Sequence, residues 1–200
     1  MNVYLIRHGE TDWNKDKRLQ GQTEVPLNAN GIELAKITAM GMKDIKLDYA
    51  FSSPLGRAMT TAEVILEGRD INIVKDDRLK EVRFGVYEGV AADKRPPECM
   101  LFFEKPEEYR APSGGESYEQ LISRTRSFIE EVLVPLASKE PDCNVLVSGH
   151  GAMNKALMLT FMGKELKDIW SGPFQKNCSL SKIVIDNNGF NVLYENKIFY

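Results

Sequence analysis

The chain alternates between strand-like and helix-like patterns of apolar residues. Val3-Tyr4-Leu5-Ile6 is an unbroken apolar run that stops at Arg7, and the stretch from Asn144 to Ser148 repeats it around Val145-Leu146-Val147. Runs of this kind suit strands buried on both faces of a parallel sheet. From Asn28 to Met42 the spacing changes to three and four, with Ile32, Ala35, Ala39 and Met42 on one face and Asn28 as N-cap, which predicts a helix. Tyr49 to Ser52 reads as a strand, and Ser53-Pro54 supplies cap and first-turn signals for a helix from about Leu55 to Glu67, stopped by Gly68. Ile71 to Val74 is a further strand candidate.

From Asp76 to Gly115 the periodicity fades and Pro, Glu and Arg accumulate, so residues 76–115 are expected to be a lid-like insertion. Within it, Met100-Leu101-Phe102-Phe103 is either the lid's apolar face or ordinary core packing. Ser117 and Gln120 have capping-box spacing before a helix face of Leu121, Thr125, Phe128, Ile129, Val132 and Leu133. Another helix pattern runs from Ala152 to Met162 and ends at Gly163. Leu180 to Ile185 and Phe190 to Tyr194, joined through Asn187-Asn188-Gly189, read as a hairpin. Strands alternating with helices, closed by a hairpin, predict one α/β domain over residues 1–200, a three-layer α/β/α sandwich with a mostly parallel central sheet.

Composition narrows the function. The chain has 200 residues, 42% of them hydrophobic, and Lys+Arg 26 against Asp+Glu 29 gives a net charge of −3. With no long block of like charge, neither a nucleic-acid footprint nor a polybasic membrane patch is indicated. No apolar stretch approaches the roughly 20 residues of a membrane helix. Cys99, Cys143 and Cys178 are odd in number and widely spaced, which predicts reduced thiols and a cytoplasmic setting. Oligomeric state leaves no mark in the sequence.

Candidate chemistry lies at the ends of the two apolar runs. The only histidines, His8 and His150, each follow a strand-like run and flank glycines, in Arg7-His8-Gly9 and Gly149-His150-Gly151. Open α/β sheets place their chemistry at strand carboxyl ends. A two-histidine metal site fits poorly, because Arg7 would repel a cation and no His-x-x-x-His spacing occurs. Arg7 and Arg57 suit bidentate capture of phosphate oxygens.

Taken together, Arg7-His8-Gly9-Glu10-Thr11, Asn14, Arg57 after Ser52-Ser53-Pro54, Glu81 and Gly149-His150-Gly151 resemble the histidine phosphatase superfamily, in its phosphoglycerate mutase-like branch. The resemblance runs from about residue 2 through the helix after His150. It implies His8 as the nucleophile that forms a phosphohistidine, Glu81 as the acid, and His150, Arg7 and Arg57 as groups that stabilise the transferred phosphoryl unit. The dipole and unpaired amides of the helix after His150 are expected to assist.

Asn14, Gln20, Gly21 and Gly151 complete the expected substrate pocket, with Gln20 also readable as a surface residue. Glu10 and Glu88 are rivals of Glu81. No metal or other cofactor is implied. The Tyr87-Glu88-Gly89 segment resembles the phosphatase form, so hydrolysis of a small phosphomonoester is expected. A cofactor-dependent phosphoglycerate mutase is the alternative, and a non-catalytic phosphate-binding module a weaker one. Lys94, Arg95 and Arg110 in the insertion are either contacts to a substrate's second charge or solvated cations.

Overall fold

The structure, a computed structural model, describes all 200 residues. In chain order the elements are β1 (Asn2–Arg7), α1 (Asp12–Lys15), α2 (Ala29–Gly41), β2 (Tyr49–Ser52), α3 (Gly56–Ile65), β3 (Ile73–Lys75), α4 (Pro97–Glu104), α5 (Tyr118–Phe128), α6 (Val134–Lys139), β4 (Asn144–Gly149), α7 (Gly151–Phe161), β5 (Leu180–Asp186) and β6 (Gly189–Lys197). One six-stranded sheet has the order β3-β2-β4-β1-β5-β6. The strands β1 to β4 run parallel, while β5 is antiparallel to β1 and β6 to β5.

Alternation along the central strands separates two cores, because successive side chains point to opposite faces. Val3, Leu5, Val145, Val147 and Ile183 pack with Leu121 and Phe128 of α5 and Met153 and Leu157 of α7. Tyr4, Ile6, Ala50 and Leu146 face the other way, onto Ala62 and Ile65 of α3 and Met42 at the end of α2. That is the expected sandwich with a mostly parallel sheet. No helix is long and apolar enough to cross a membrane.

Several boundaries differ from expectation for local reasons. The helix α3 starts at Gly56 with Leu55 as N-cap and no side-chain cap, since Ser53 Oγ is engaged by Leu55 N–H and by His150. The strand β3 lies two residues later than its apolar run began, because pairing with β2 sets Ala50 against Ile73 and Ser52 against Lys75. The helix begun at Tyr118 continues past Leu133 through a π-helical stretch, Ile129–Leu133, into α6; Pro135 lacks an N–H and favours such an adjustment of the ladder. Residues 76–115 contain an unanticipated helix, α4, with a proline in its first turn. Its Phe102 is fully buried against Tyr118, with ring centroids 4.6 Å apart, so that part of the apolar quartet is core.

Candidate active site

Strand register creates the site. In the β1–β4 ladder Leu5 opposes Val147 and Arg7 opposes Gly149, and the ladder's last bond runs from His8 N–H to Gly149 O at 3.0 Å. The two histidines therefore leave the sheet side by side, with ring centroids 5.1 Å apart. A cavity of about 460 Å³ opens above them, lined among others by Arg7, His8, Asn14, Gln20, Gly21, Arg57, Glu81 and Gly151. His150 is fully buried and stands behind this lining.

The His8 Nδ1 lies 2.7 Å from Gly9 O. A carbonyl can only accept, so the proton sits on Nδ1 and the lone pair is left on Nε2, which has no protein partner. Burial holds the His8 pKa well below its ordinary value, helped by the charges of Arg57 and Arg7 and opposed only by the bond to Gly9. Burial, Arg57 and His8 depress His150 in the same way. Both rings are neutral at pH 7. Ser53 Oγ accepts Leu55 N–H and lies 2.8 Å from His150 Nε2. In the tautomer where that hydroxyl donates to Nε2, the His150 proton sits on Nδ1, a buried atom with no partner.

Arg57, in the first turn of α3, is fully buried and donates from Nη1 to Thr23 O at 2.9 Å and from Nη2 to Gly21 O at 2.6 Å. Gly21 thus serves the site partly by orienting Arg57. It has φ +56°, and a Cβ there would lie 2.0 Å from Glu88 Oε1, so glycine is required. Arg7 donates to Gln175 O at 2.5 Å and lies 5.4 Å from the Phe174 ring centre. The Nε atoms of both arginines are buried without a partner. An unpaired buried donor costs about 1–3 kcal/mol, so two guanidiniums and one imidazole N–H in this state suit an anionic ligand.

Glu81 lines the cavity, whereas its rivals do not. Glu88 accepts the N–H groups of Gln22, Thr23 and Phe84, and Glu10 accepts from Asn28 and Asn30. Glu81 Oε1 accepts Met153 N–H at 2.9 Å and Val82 N–H at 3.0 Å, and Oε2 accepts Ala152 N–H at 3.2 Å. Here the expectation of free amides at the start of α7 is corrected, because Glu81 takes up two of them. A Cβ at Gly151 would lie 3.7 Å from both Arg7 Nε and Glu81 Oε2, an ordinary contact distance, so Gly151 adjoins this pair.

Asn14 completes the capping box of α1, whose N-cap is Thr11, by accepting Thr11 N–H on Oδ1, and it accepts there from Asn177 too, at 3.2 Å each. Gln20 has 8% exposure and a buried, unpartnered Oε1. Of the three insertion cations weighed as contacts to a second charge, Arg95 lines the cavity, while Lys94 and Arg110 are exposed and do not line it.

Sequence reasoning missed Asn177, which lines the cavity and donates to His8 O at 3.0 Å and Gly9 O at 3.2 Å, and read Ser53 only as a helix cap. It also missed Phe84, Trp170 and Phe174, which form one wall of the cavity together with Phe103, the part of the apolar quartet that does face the cavity. No group of three or more His, Cys, Asp or Glu side chains is placed to hold a metal ion.

The chain is similar to known proteins in sequence and in fold. A protein of Serratia proteamaculans (strain 568) named "Probable phosphoglycerate mutase GpmB" is 32% identical over 193 residues, 92% of this chain and 84% of its own. "Phosphoserine phosphatase 1" of Hydrogenobacter thermophilus (strain DSM 6534 / IAM 12695 / TK-6) is 30% identical over 175 residues, covering 86% and 81%. The solved structure of Bacillus stearothermophilus YhfR superposes with a TM-score of 0.90 at 31% identity, covering 98% of this chain and 97% of that one. The sequence profile of the histidine phosphatase superfamily (branch 1) matches residues 3–198, and the chain belongs to that superfamily.

Proposed function

We propose that the protein hydrolyses a small phosphomonoester through a phosphohistidine on His8, without a metal. The observation that carries this reading is the bond from His8 Nδ1 to Gly9 O, which leaves Nε2 as a neutral nucleophile beside Arg7 and Arg57. In the first step Nε2 attacks phosphorus, the P–O ester bond breaks, and the leaving oxygen takes a proton from Glu81. Oε2 is the oxygen assigned to that proton, since it lies on the Gly151 and Arg7 side and makes the longest of the carboxyl group's contacts. In the second step Glu81 removes a proton from water, which attacks phosphorus, and inorganic phosphate leaves as the P–N bond breaks. Arg7, Arg57 and the His150 Nδ1–H stabilise charge on the transferred oxygens, and Asn14, Gln20, Gly21 and Gly151 shape the pocket around them. Three buried, unpaired cysteines support a reducing compartment, the cytoplasm, as its setting.

Trapping with a labelled phosphomonoester is expected to place acid-labile phosphate on His8 and on no other residue, and label elsewhere would reject the mechanism. The mutase-named relative favours a second reading, return of the phosphoryl group to a sugar acid. Interconversion of 2- and 3-phosphoglycerate that depends on 2,3-bisphosphoglycerate and outpaces phosphate release would establish it.

A further inference from the structure

The phosphoryl chemistry accounts for Arg7 and Arg57, yet one more guanidinium lines the same cavity. Arg95 donates from Nη2 to Lys17 O at 2.9 Å, and its guanidinium carbon lies 5.5 Å from the Phe103 ring centre. It has no carboxylate partner, and its Nε is buried with no partner at all. Burial lowers its pKa, and a neighbouring thiol is all that offsets the effect. A partly buried cation left unpaired is costly, and an apolar side chain would fill the same space with less penalty.

The pose is also built in advance. Lys17, whose carbonyl receives Arg95, has φ +55°, an uncommon conformation for a residue with a side chain. Next to it, Arg18 bridges Ala91, Leu19 N–H donates to Val90 O at 3.1 Å, and Gly89 N–H donates to Leu19 O at 2.7 Å. The segment carrying Arg95 is thereby stitched to the segment carrying Lys17. Lys17 and Arg18 line the cavity as well, Arg18 with Asp16 as a partner at 3.8 Å, and Glu81 is the sole acid in the lining. This excess of positive charge is local, since the whole chain carries a net charge of −3. Arg95 is held at the cavity wall, between Lys17 O and the Phe103 ring, and makes no bond to His8, His150, Arg7 or Arg57.

We infer that this end of the cavity binds a second anionic group of the substrate, a carboxylate or a second phosphate, with Arg95 as the residue that recognises it. The inference rests on the phosphatase reading and names the substrate class for the same cavity. Such a group pairs with a pre-oriented guanidinium, while Phe84, Phe103 and Trp170 enclose the carbon skeleton between the two charges.

The test compares kcat/KM within matched pairs, 3-phosphoglycerate against glycerol 3-phosphate and fructose 1,6-bisphosphate against fructose 6-phosphate, with p-nitrophenyl phosphate as the report on phosphatase chemistry. The doubly anionic member is expected to win by about tenfold or more in one pair, and the winning pair tells carboxylate from phosphate. Arg95→Gln is expected to bring that ratio to within about twofold of one, and Arg95→Lys to an intermediate value. Ratios near one for the unmodified protein, or a ratio that survives Arg95→Gln, would overturn the inference. If Arg95→Gln fails to fold, the unmodified protein and Arg95→Lys decide. Calorimetric binding of the same pairs to His8→Ala protein needs no turnover. Loss of the anion preference in binding counts against Arg95, whereas failure to hydrolyse p-nitrophenyl phosphate counts against the phosphatase reading alone.

Discussion

The floor of the cavity and its wall are built by different means. Arg7, His8 and His150 follow or end two parallel strands in unbroken register, with both cores packed beneath them. The wall comes from turns and short helices, with Phe103 on α4, Arg95 in the preceding loop, and Trp170 and Phe174 just before β5. A continuous hydrogen-bond ladder fixes atoms more tightly than loops stitched by a few isolated bonds. Damage to the floor should therefore be felt by every substrate with the same leaving-group demand, and damage to the wall by some substrates more than others.

The largest effect expected is at Glu81. Glu81→Gln should slow alkyl phosphates by about 10²–10⁴-fold and activated aryl phosphates by less than about tenfold, because good leaving groups need no proton. Equal losses on both classes would remove Glu81 from the acid role.

A second measurement probes the floor's neutral rings. The folded protein keeps His8 and His150 uncharged, while the unfolded chain takes up protons on both as the pH falls through about 6.5. Acidification thus favours unfolding. Denaturation at pH 5 should show stability lower than at pH 7.5 by about 1–2 kcal/mol per histidine, and a flat or rising profile would show a ring protonated in the native state.

The smallest effect belongs to the wall. Phe103→Ala should raise KM by about three- to tenfold for large substrates and hold kcat within about twofold. A uniform fall in kcat would merge wall and floor into one unit.

What the sequence disclosed follows the same division. The strands carrying His8 and His150 were legible because burial on both faces leaves uninterrupted apolar runs, and the closing hairpin because Asn-Asn-Gly marks a turn. Ser117 and Gln120 form the capping box their spacing suggested. Asn177 was illegible, since its contacts with His8, Gly9 and Asn14 span more than 160 positions and leave no local pattern. The same holds for the carbonyls of Gly21 and Thr23 that aim Arg57. Glu88 was weighed as an acid because residue type alone cannot tell a cavity carboxylate from one that closes a loop by accepting three backbone N–H groups.

The pairing of Arg7 with Gly149 has a consequence for altering this enzyme. Sliding either strand by a single residue would turn its following imidazole toward the opposite layer, so the spacing of the two rings is inherited from main-chain pairing rather than from any bond between them. Exchange of the loop segments around residues 90–96 and 171–174 is then a route to new substrate preference that leaves the spacing of His8 and His150 untouched.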